Sequence, residues 1–263
     1  MKPDPKPDQW ESIHALWNEL AEFPAAEIDS ALFHLMTALC RRLGADNAVW
    51  VGSAKVVTGA AARLDPQLGW RGVAVRHLHE TPLARARTAE AIRGQVRDPG
   101  MTTVALAAGV GSFRVHRLHD GFVDIAAFKE TAHYRIIYRD AGIVDRMFIG
   151  VPVNRSVESF FLIDRYGEKA LFSAQEEAWT RSLMGGLKRF SRDLMLSHGL
   201  LLATTPLTPA ERRITRLLLT DRSEKEIAEA MGQAPATTHK YITEILRKLG
   251  VKGRAGLMAL WLS

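Results

Sequence analysis

The sequence predicts an α+β chain in two parts, a mixed sheet with flanking helices followed by an all-α unit of four short helices. Three observations lead there. Apolar residues recur at three- and four-residue spacing at both ends of the first 206 residues, with short strand-like runs between them. The last 57 residues show no strand-like run and are punctuated by helix caps. The 263 residues are 47% hydrophobic and 24% charged, enough to bury a sizeable core and too apolar for a disordered polymer.

The chain opens with prolines among charged residues from Met1 to Asp8 and no apolar h-region. Residues 1–8 are therefore expected to be a disordered leader, not a secretory signal. Trp10, Ile13, Trp17 and Leu20, then Ile28, Leu32, Leu35, Met36, Leu39 and Leu43, predict two amphipathic helices, the second stopped at Gly44. Asp46 to Gly52 reads as a strand. Gly72 to His79 is strand-like, and Leu83 to Val96 is helical up to the break at Asp98-Pro99-Gly100. Phe128 to Asp140 predicts one helix ended at Gly142. Arg146–Val153 and Ser159–Arg165 predict two strands about the turn Asn154-Arg-Ser. Ser173 with Glu176 forms a capping box for a long helix through Trp179, Leu183, Leu187, Phe190 and Leu194 towards Leu201, which Gly185-Gly186 could bend. The expected division is a sensor domain at 9–202, a linker at 203–206 and a last domain at 207–263.

Charge is uneven. The whole chain has a net charge of +6, and Leu207 to Ser263 holds ten Lys and Arg against six Asp and Glu. A small basic unit suggests a polyanion partner. No apolar run approaches the roughly 18 residues of a membrane span, so no membrane partner is expected. The single cysteine, Cys40, excludes an intrachain disulfide and a multi-cysteine zinc site, which predicts a cytoplasmic protein. Cys40 itself, beside an apolar stripe, is expected to be a buried, inert thiol.

The last unit begins with Thr208-Pro209-Ala210-Glu211, a capping box with proline at the first helical position. Ile214, Leu217 and Leu218 form its stripe. After the break at Thr220-Asp221-Arg222, Ser223 and Glu226 cap a second helix, which carries Ile227 and Met231 and stops at Gly232. Pro235 starts a third, with Thr238, Tyr241, Ile242, Ile245 and Leu249 on one face and His239, Lys240, Thr243 and Arg247 on the other. A last apolar helix runs from about Ala255 to Leu262. Two short helices about a tight turn, the second with a basic face, make a helix-turn-helix. On geometry alone, a four-helix bundle with a merely solvated charged stripe is equally open.

The residues decide between these. Leu207-Thr-Pro-Ala-Glu-Arg212, Ser223 to Met231, Thr237 and Ile245 to Arg254 closely resemble the LuxR-type helix-turn-helix domain of bacterial transcription regulators, over about Leu207 to Leu260. The resemblance implies a transcription regulator that binds double-stranded DNA. It makes the helix with Glu226 a scaffold and sends the helix from about Ala236 to Lys248 into the major groove. His239, Lys240 and Thr243 would then face base edges, with Lys225, Thr237, Arg247 and Lys248 nearer the phosphates. With Glu226 and Thr238 these complete the expected DNA-binding set. The chain departs from the family pattern at Gln233, Ala234, Thr238 and Tyr241, where an aliphatic residue, a capping serine, a valine and a histidine are usual. The helix–sheet–helix order upstream, with Lys169 to Glu177 leading into the long helix, resembles the GAF/PAS-like sensing domains that precede such units. RNA polymerase would be a further partner of an activator.

Other chemistry is sparse. His77 and His79 share a strand face and could bind a metal with Glu80, His116, His119 or Cys40, although surface or core-edge histidines account for them better, so no metal is expected. Trp50, Trp70, Tyr134, Tyr138 and Phe148 could line a pocket or form plain core. No P-loop or receiver layout is present, and no nucleophile–base or carboxylate pair stands out, so neither a cofactor nor catalysis is expected. Asp65-Pro66 is an isolated echo of the acyl-homoserine-lactone receptors. The expectation is a ligand-modulated regulator. It would be a homodimer, since Leu257, Met258, Leu260, Trp261 and Leu262 exceed what the small unit needs to bury. The alternatives are a divergent lactone receptor in quorum sensing, and a small-molecule enzyme with a DNA-tethering domain.

Overall fold

The computed structural model describes residues 7–94, 99–202 and 206–263. Most of the expected leader and of the expected linker lie outside these. Five strands, β1 (Asn47–Lys55), β2 (Trp70–His77), β3 (Arg114–Arg117), β4 (Ile143–Pro152) and β5 (Val157–Tyr166), form one sheet in the order β2-β1-β5-β4-β3. The expected mixed sheet is antiparallel in every pairing. The β4–β5 hairpin is closed by Asn154, whose side chain accepts from the backbone N–H groups of Ser156 and Val157. That turn also sets the register Phe148↔Leu162, which fixes the side chains sharing each face.

Helices cover both faces. The two opening helices, α1 (Pro7–Ala21) and α2 (Ile28–Leu43), lie on one face, where Leu32, Leu35 and Leu39 meet Trp50, Phe161 and Ile163 in the main core. Cys40 is in that core as expected, and burial pushes its thiol up to about 12. A short helix α3 (Gly59–Leu64) links β1 to β2. The helices α4 (Pro82–Gly94), α5 (Met101–Ala107), α6 (Ile125–Lys129) and α7 (Ala132–Ile137) follow. A second cluster, with Leu106, Phe128, Tyr138 and Phe148, lies on that side. Phe128 to Asp140 is thus not one helix. Thr131 interrupts it by capping α7, its hydroxyl accepting from Tyr134 N–H at 3.0 Å.

The chain returns to the first face as α8 (Ala174–Gly185) and α9 (Lys188–Ser197). The single long helix expected from Ser173 to Leu201 is therefore broken at its two glycines. A Cβ on Gly186 would lie 2.3 Å from the Trp17 ring, so the break makes room for that indole. Trp17 Nε1–H then donates to the Leu183 carbonyl at 3.0 Å, satisfying a backbone group at the end of α8.

Four helices complete the chain: α10 (Pro209–Leu218), α11 (Glu224–Met231), α12 (Pro235–Lys248) and α13 (Arg254–Leu262). Their core holds Ile214, Leu218, Ile227, Ile245, Leu257 and Trp261, and Leu196 of α9 enters it. The seam with the N-terminal part is polar at its edges. Arg216 pairs with Asp29, Arg189 donates to the Trp261 carbonyl, and Arg192 donates to the Leu260 carbonyl at 3.0 Å. Buried His198, just after α9, packs tilted against Trp50 with ring centroids 4.7 Å apart and planes at 49°, and its carbonyl accepts from Leu207 N–H at 3.0 Å. Among the described residues no helix is long and apolar enough to cross a membrane.

Candidate nucleic-acid interface and cavity

Both expected capping boxes of the C-terminal segment form. The Thr208 hydroxyl accepts from Glu211 N–H while Glu211 accepts from Thr208 N–H, and Ser223 and Glu226 do the same. Ala234 caps α12 with no side-chain bond, and Pro235 supplies the pre-set first turn. Ile242 and Ile245 anchor α12, while Thr237, His239, Lys240, Thr243 and Arg247 lie exposed along its outer side and Lys225 on α11 is exposed beside them.

Three residues of the expected DNA-binding set make internal contacts in the structure. Thr238 is fully buried with no partner for its hydroxyl, because it occupies the apolar side of α12 against the other helices. Lys248 turns inward, its Nζ donating to both Glu211 carboxylate oxygens at 2.7 and 2.9 Å. Glu226 is a cap whose carboxylate is held below its ordinary value by the Ser223 hydroxyl and N–H. On the outer side, His239 Nδ1 lies 3.0 Å from Glu224, Arg247 pairs with Glu244 at 2.6 Å, and the Thr243 hydroxyl donates to the His239 carbonyl. Lys225 and Lys240 carry no ion pair within the described residues.

A second site was not legible beforehand. A cavity of about 660 Å³ lies between the sheet and α4, α5 and α7. Of the aromatics weighed as pocket or plain core, Trp70, Tyr138 and Phe148 line it. Trp50 lies on the opposite face, donating to Ser159 Oγ at 2.7 Å, and Tyr134 packs outside the cavity against Phe128 and Tyr138. His77 and His79 both border the cavity. Burial lowers the His77 pKa, and its Nε2 lies 2.9 Å from Thr88 Oγ1. Of the other residues weighed as metal ligands, Glu80 next to His79 pairs with Arg85 at 3.2 Å, His116 sits with Asp120, His119 with Asp145, and Cys40 lies across the sheet. No group of three or more His, Cys, Asp or Glu among the described residues is placed to hold a metal.

The cavity walls carry buried charge. Arg146 grips Asp164 at 2.5 and 2.8 Å under the Tyr138 ring, Arg114 grips Glu158 at 2.7 and 2.9 Å, and Arg71 pairs with Asp65 at 2.7 Å. Burial alone would lower the Arg146 pKa, but the adjacent Asp164 carboxylate raises it, so the guanidinium stays charged. Asp65, which echoed the lactone receptors in the sequence, also accepts from the N–H groups of Gln67 and Gly69 and so shapes the turn into β2.

Residues 205–260 match the family described as "Bacterial regulatory proteins, luxR family". The C-terminal segment is a LuxR-type helix-turn-helix domain. The chain is similar to the transcriptional regulatory protein MctR of Rhizobium johnstonii, at 36% identity over 80 residues, which cover 29% of this chain and 37% of that protein. It is also similar to the spore germination protein GerE of Bacillus subtilis, at 41% identity over 49 residues, covering 19% and 66% respectively. The chain thus spans little more than a third of the MctR length. The whole fold is similar to that of SdiA, solved in complex with octanoyl-rac-glycerol, with a TM-score of 0.50 and 12% identity over 97% of this chain and 95% of that one.

Within the LuxR-type segment, sequence reasoning missed one structural cation. Arg254 donates to the carbonyls of Leu218, Thr220 and Arg222, closing the end of α10 and the turn into α11. A basic residue just past a glycine reads as a surface charge, and only the fold shows the three carbonyls it serves.

Proposed function

We propose that the chain is a LuxR-type transcription regulator, working as a cytoplasmic homodimer, that binds operator DNA through α12 and is tuned by a small molecule in the sheet cavity. In this reading residues 9–202 are the sensor, 203–206 the linker and 207–263 the DNA-binding domain, with RNA polymerase a partner if it activates. The observation that carries it is the exposed face of α12, with Lys240 and Thr243 unobstructed beside Lys225 on the scaffold helix. Helices of this size with polar, basic outer faces fit a major groove. No catalytic role belongs to this reading. The fold shared with SdiA, and the uncharged amphiphile in that complex, support a cavity that receives an amphiphile.

Coupling would run through α9. This helix lies on the cavity-bearing sheet's other face, contributes Leu196 to the C-terminal core, and holds α13 through Arg189 and Arg192. A ligand shifts operator affinity only by favouring one arrangement, and couplings of about 1–3 kcal/mol give roughly 5- to 150-fold changes. Selection of duplexes from a random pool by the full-length protein, then footprinting of the winners, tests the reading. Enrichment of a roughly palindromic site with strongly salt-dependent affinity is expected. Failure to enrich any sequence overturns it. Leu162→Trp, which fills the cavity, should shift operator affinity, and an unchanged affinity removes the cavity from the reading.

A further inference from the structure

The cavity floor carries a charge pattern that a simple apolar tail does not require. Glu158, Phe160, Leu162 and Asp164 of β5 all line the cavity. Phe160 and Leu162, with Val51 and Val49 on β1 and Phe148 on β4, form an apolar middle. At one end Arg114 holds Glu158, and at the other Arg146 holds Asp164. The exposures of these four side chains are 8%, 3%, 9% and 2%. Five residues of extended strand lie between Glu158 and Asp164, which sets their Cα atoms about 20 Å apart.

Packing alone does not account for this. A buried ion pair sacrifices hydration that its own attraction only partly restores, and apolar replacements are often as stable. Here the pair is also built at the expense of a side chain. Arg114 crosses β4 to reach Glu158 over Gly150, where a Cβ would come within 2.6 to 2.7 Å of the guanidinium. Arg114 keeps an Nε–H without a partner, and His77, near the other pair, keeps an unpartnered Nδ1, and both atoms are buried in residues that border the cavity.

We propose that the cavity takes an uncharged, elongated amphiphile with a hydrogen-bonding group at each end and an apolar middle. The inference rests on the cavity being a ligand site. Each pair is already neutral, so a charged ligand end would add an uncompensated charge in a low-dielectric pocket. A hydroxyl or amide, which donates and accepts at once, can use a spare carboxylate lone pair and a free ring or guanidine nitrogen together.

Titration of the full-length protein with α,ω-dodecanediol, n-dodecanol and dodecanedioic acid at neutral pH tests this, followed by calorimetry and native mass spectrometry. The diol should bind about tenfold more tightly than the mono-alcohol, the worth of one added hydrogen-bonded end. The diacid should bind no better than the mono-alcohol. The double variant Arg114→Met with Glu158→Met removes one polar end without stranding a charge, and should reduce the diol to the mono-alcohol's affinity. Arg146→Met with Asp164→Met is the matching variant at the other end, and either one that melts as cooperatively as the parent decides the point. Equal binding of diol and mono-alcohol overturns the two-ended ligand and leaves the cavity reading standing. Failure of all three probes to bind also overturns the inference, and the cavity reading is then judged separately by the Leu162→Trp effect on operator affinity.

Discussion

Lys248, in the last turn of α12, donates to both carboxylate oxygens of Glu211, in the first turn of α10, at 2.7 and 2.9 Å. The pair ties α12 to α10, the helix that opens the segment. Replacing Lys248 with alanine should destabilise the C-terminal segment by about 1–3 kcal/mol, because a buried carboxylate loses its partner. It should leave the salt dependence of DNA binding unchanged, since no phosphate contact is lost. Burial opposes ionisation of Glu211, yet the Lys248 bond and the Thr208 N–H hold its pKa below the ordinary 4.5. A depressed carboxylate stabilises the fold above its unfolded value, and that contribution disappears as pH falls through the folded value. Melting curves from about pH 6 down to about pH 3 should therefore converge for the parent and Glu211→Gln. A constant gap between them refutes the assignment.

Thr238 should tolerate valine. Its hydroxyl is buried without a partner, so an isosteric methyl removes an unsatisfied group and should be neutral or stabilising by about 1 kcal/mol. Operator affinity should not change. A loss of sequence preference in Thr238→Val would return this residue to the DNA-reading set.

Lys240→Ala and Thr243→Ala should alter preference at a single half-site position, at a cost of about 1–3 kcal/mol if a base contact is lost. Arg247→Ala should weaken all duplexes alike and flatten the salt slope. Footprints and salt titrations separate the two patterns. Variants at Lys240 and Thr243 that bind every duplex as the parent does would place the groove contacts elsewhere.

His198 makes the seam acid-sensitive. Burial lowers its pKa to about 4, helped by Arg76 and Arg216 and opposed by the Leu194 carbonyl and Asp29. The unfolded imidazole titrates at its ordinary 6.5. Stability is therefore complete above that value, declines as pH falls from 6.5, and is lost in full below about 4, at most about 3 kcal/mol. His198→Phe keeps a ring against Trp50 and removes the proton site. Its melting temperature should fall less than the parent's between pH 6.5 and 4. Identical slopes would show that another group titrates.

Gly186→Ala should destabilise through Trp17, not by straightening the helix. The added methyl meets the indole, so a loss of about 1–3 kcal/mol from overpacking is expected. Gly185→Ala, whose Cβ would meet only Phe113 at 3.7 Å, should be mild. Denaturation of the two single variants distinguishes them, and equal effects would restore the bending role of the glycine pair.

What was legible followed the range of the interactions. The capping boxes at Thr208/Glu211 and Ser223/Glu226 close within four residues, so composition and spacing specify them completely. Gly185-Gly186 was legible as a weak point, but the reason for the break is Trp17, far away in sequence. The strand β3 is only four residues, Arg114-Val-His-Arg117, with too little apolar alternation to announce itself. The cavity was invisible because its walls are set by register. Arg114 meets Glu158 across 44 positions, and Trp50 faces away from Val49 and Val51 by the parity of its strand. Thr238 was ambiguous for a different reason, since a threonine on an apolar stripe fits either a core or a contact role.

The end of α13 has consequences for assembly. The Trp261 and Leu260 carbonyls are taken by Arg189 and Arg192 of the same chain, while Leu257 and Trp261 are already buried and only Met258 and Leu262 stand clear. A helix terminus occupied from within competes with any second copy at the high local concentration of a tethered partner, on the order of millimolar. Two chains meeting on a two-fold operator through this helix would first have to outbid that internal hold. The concentration needed for such pairing would then be a property written into the chain's own seam, and any influence that loosens α9 would lower it without touching the surfaces that meet.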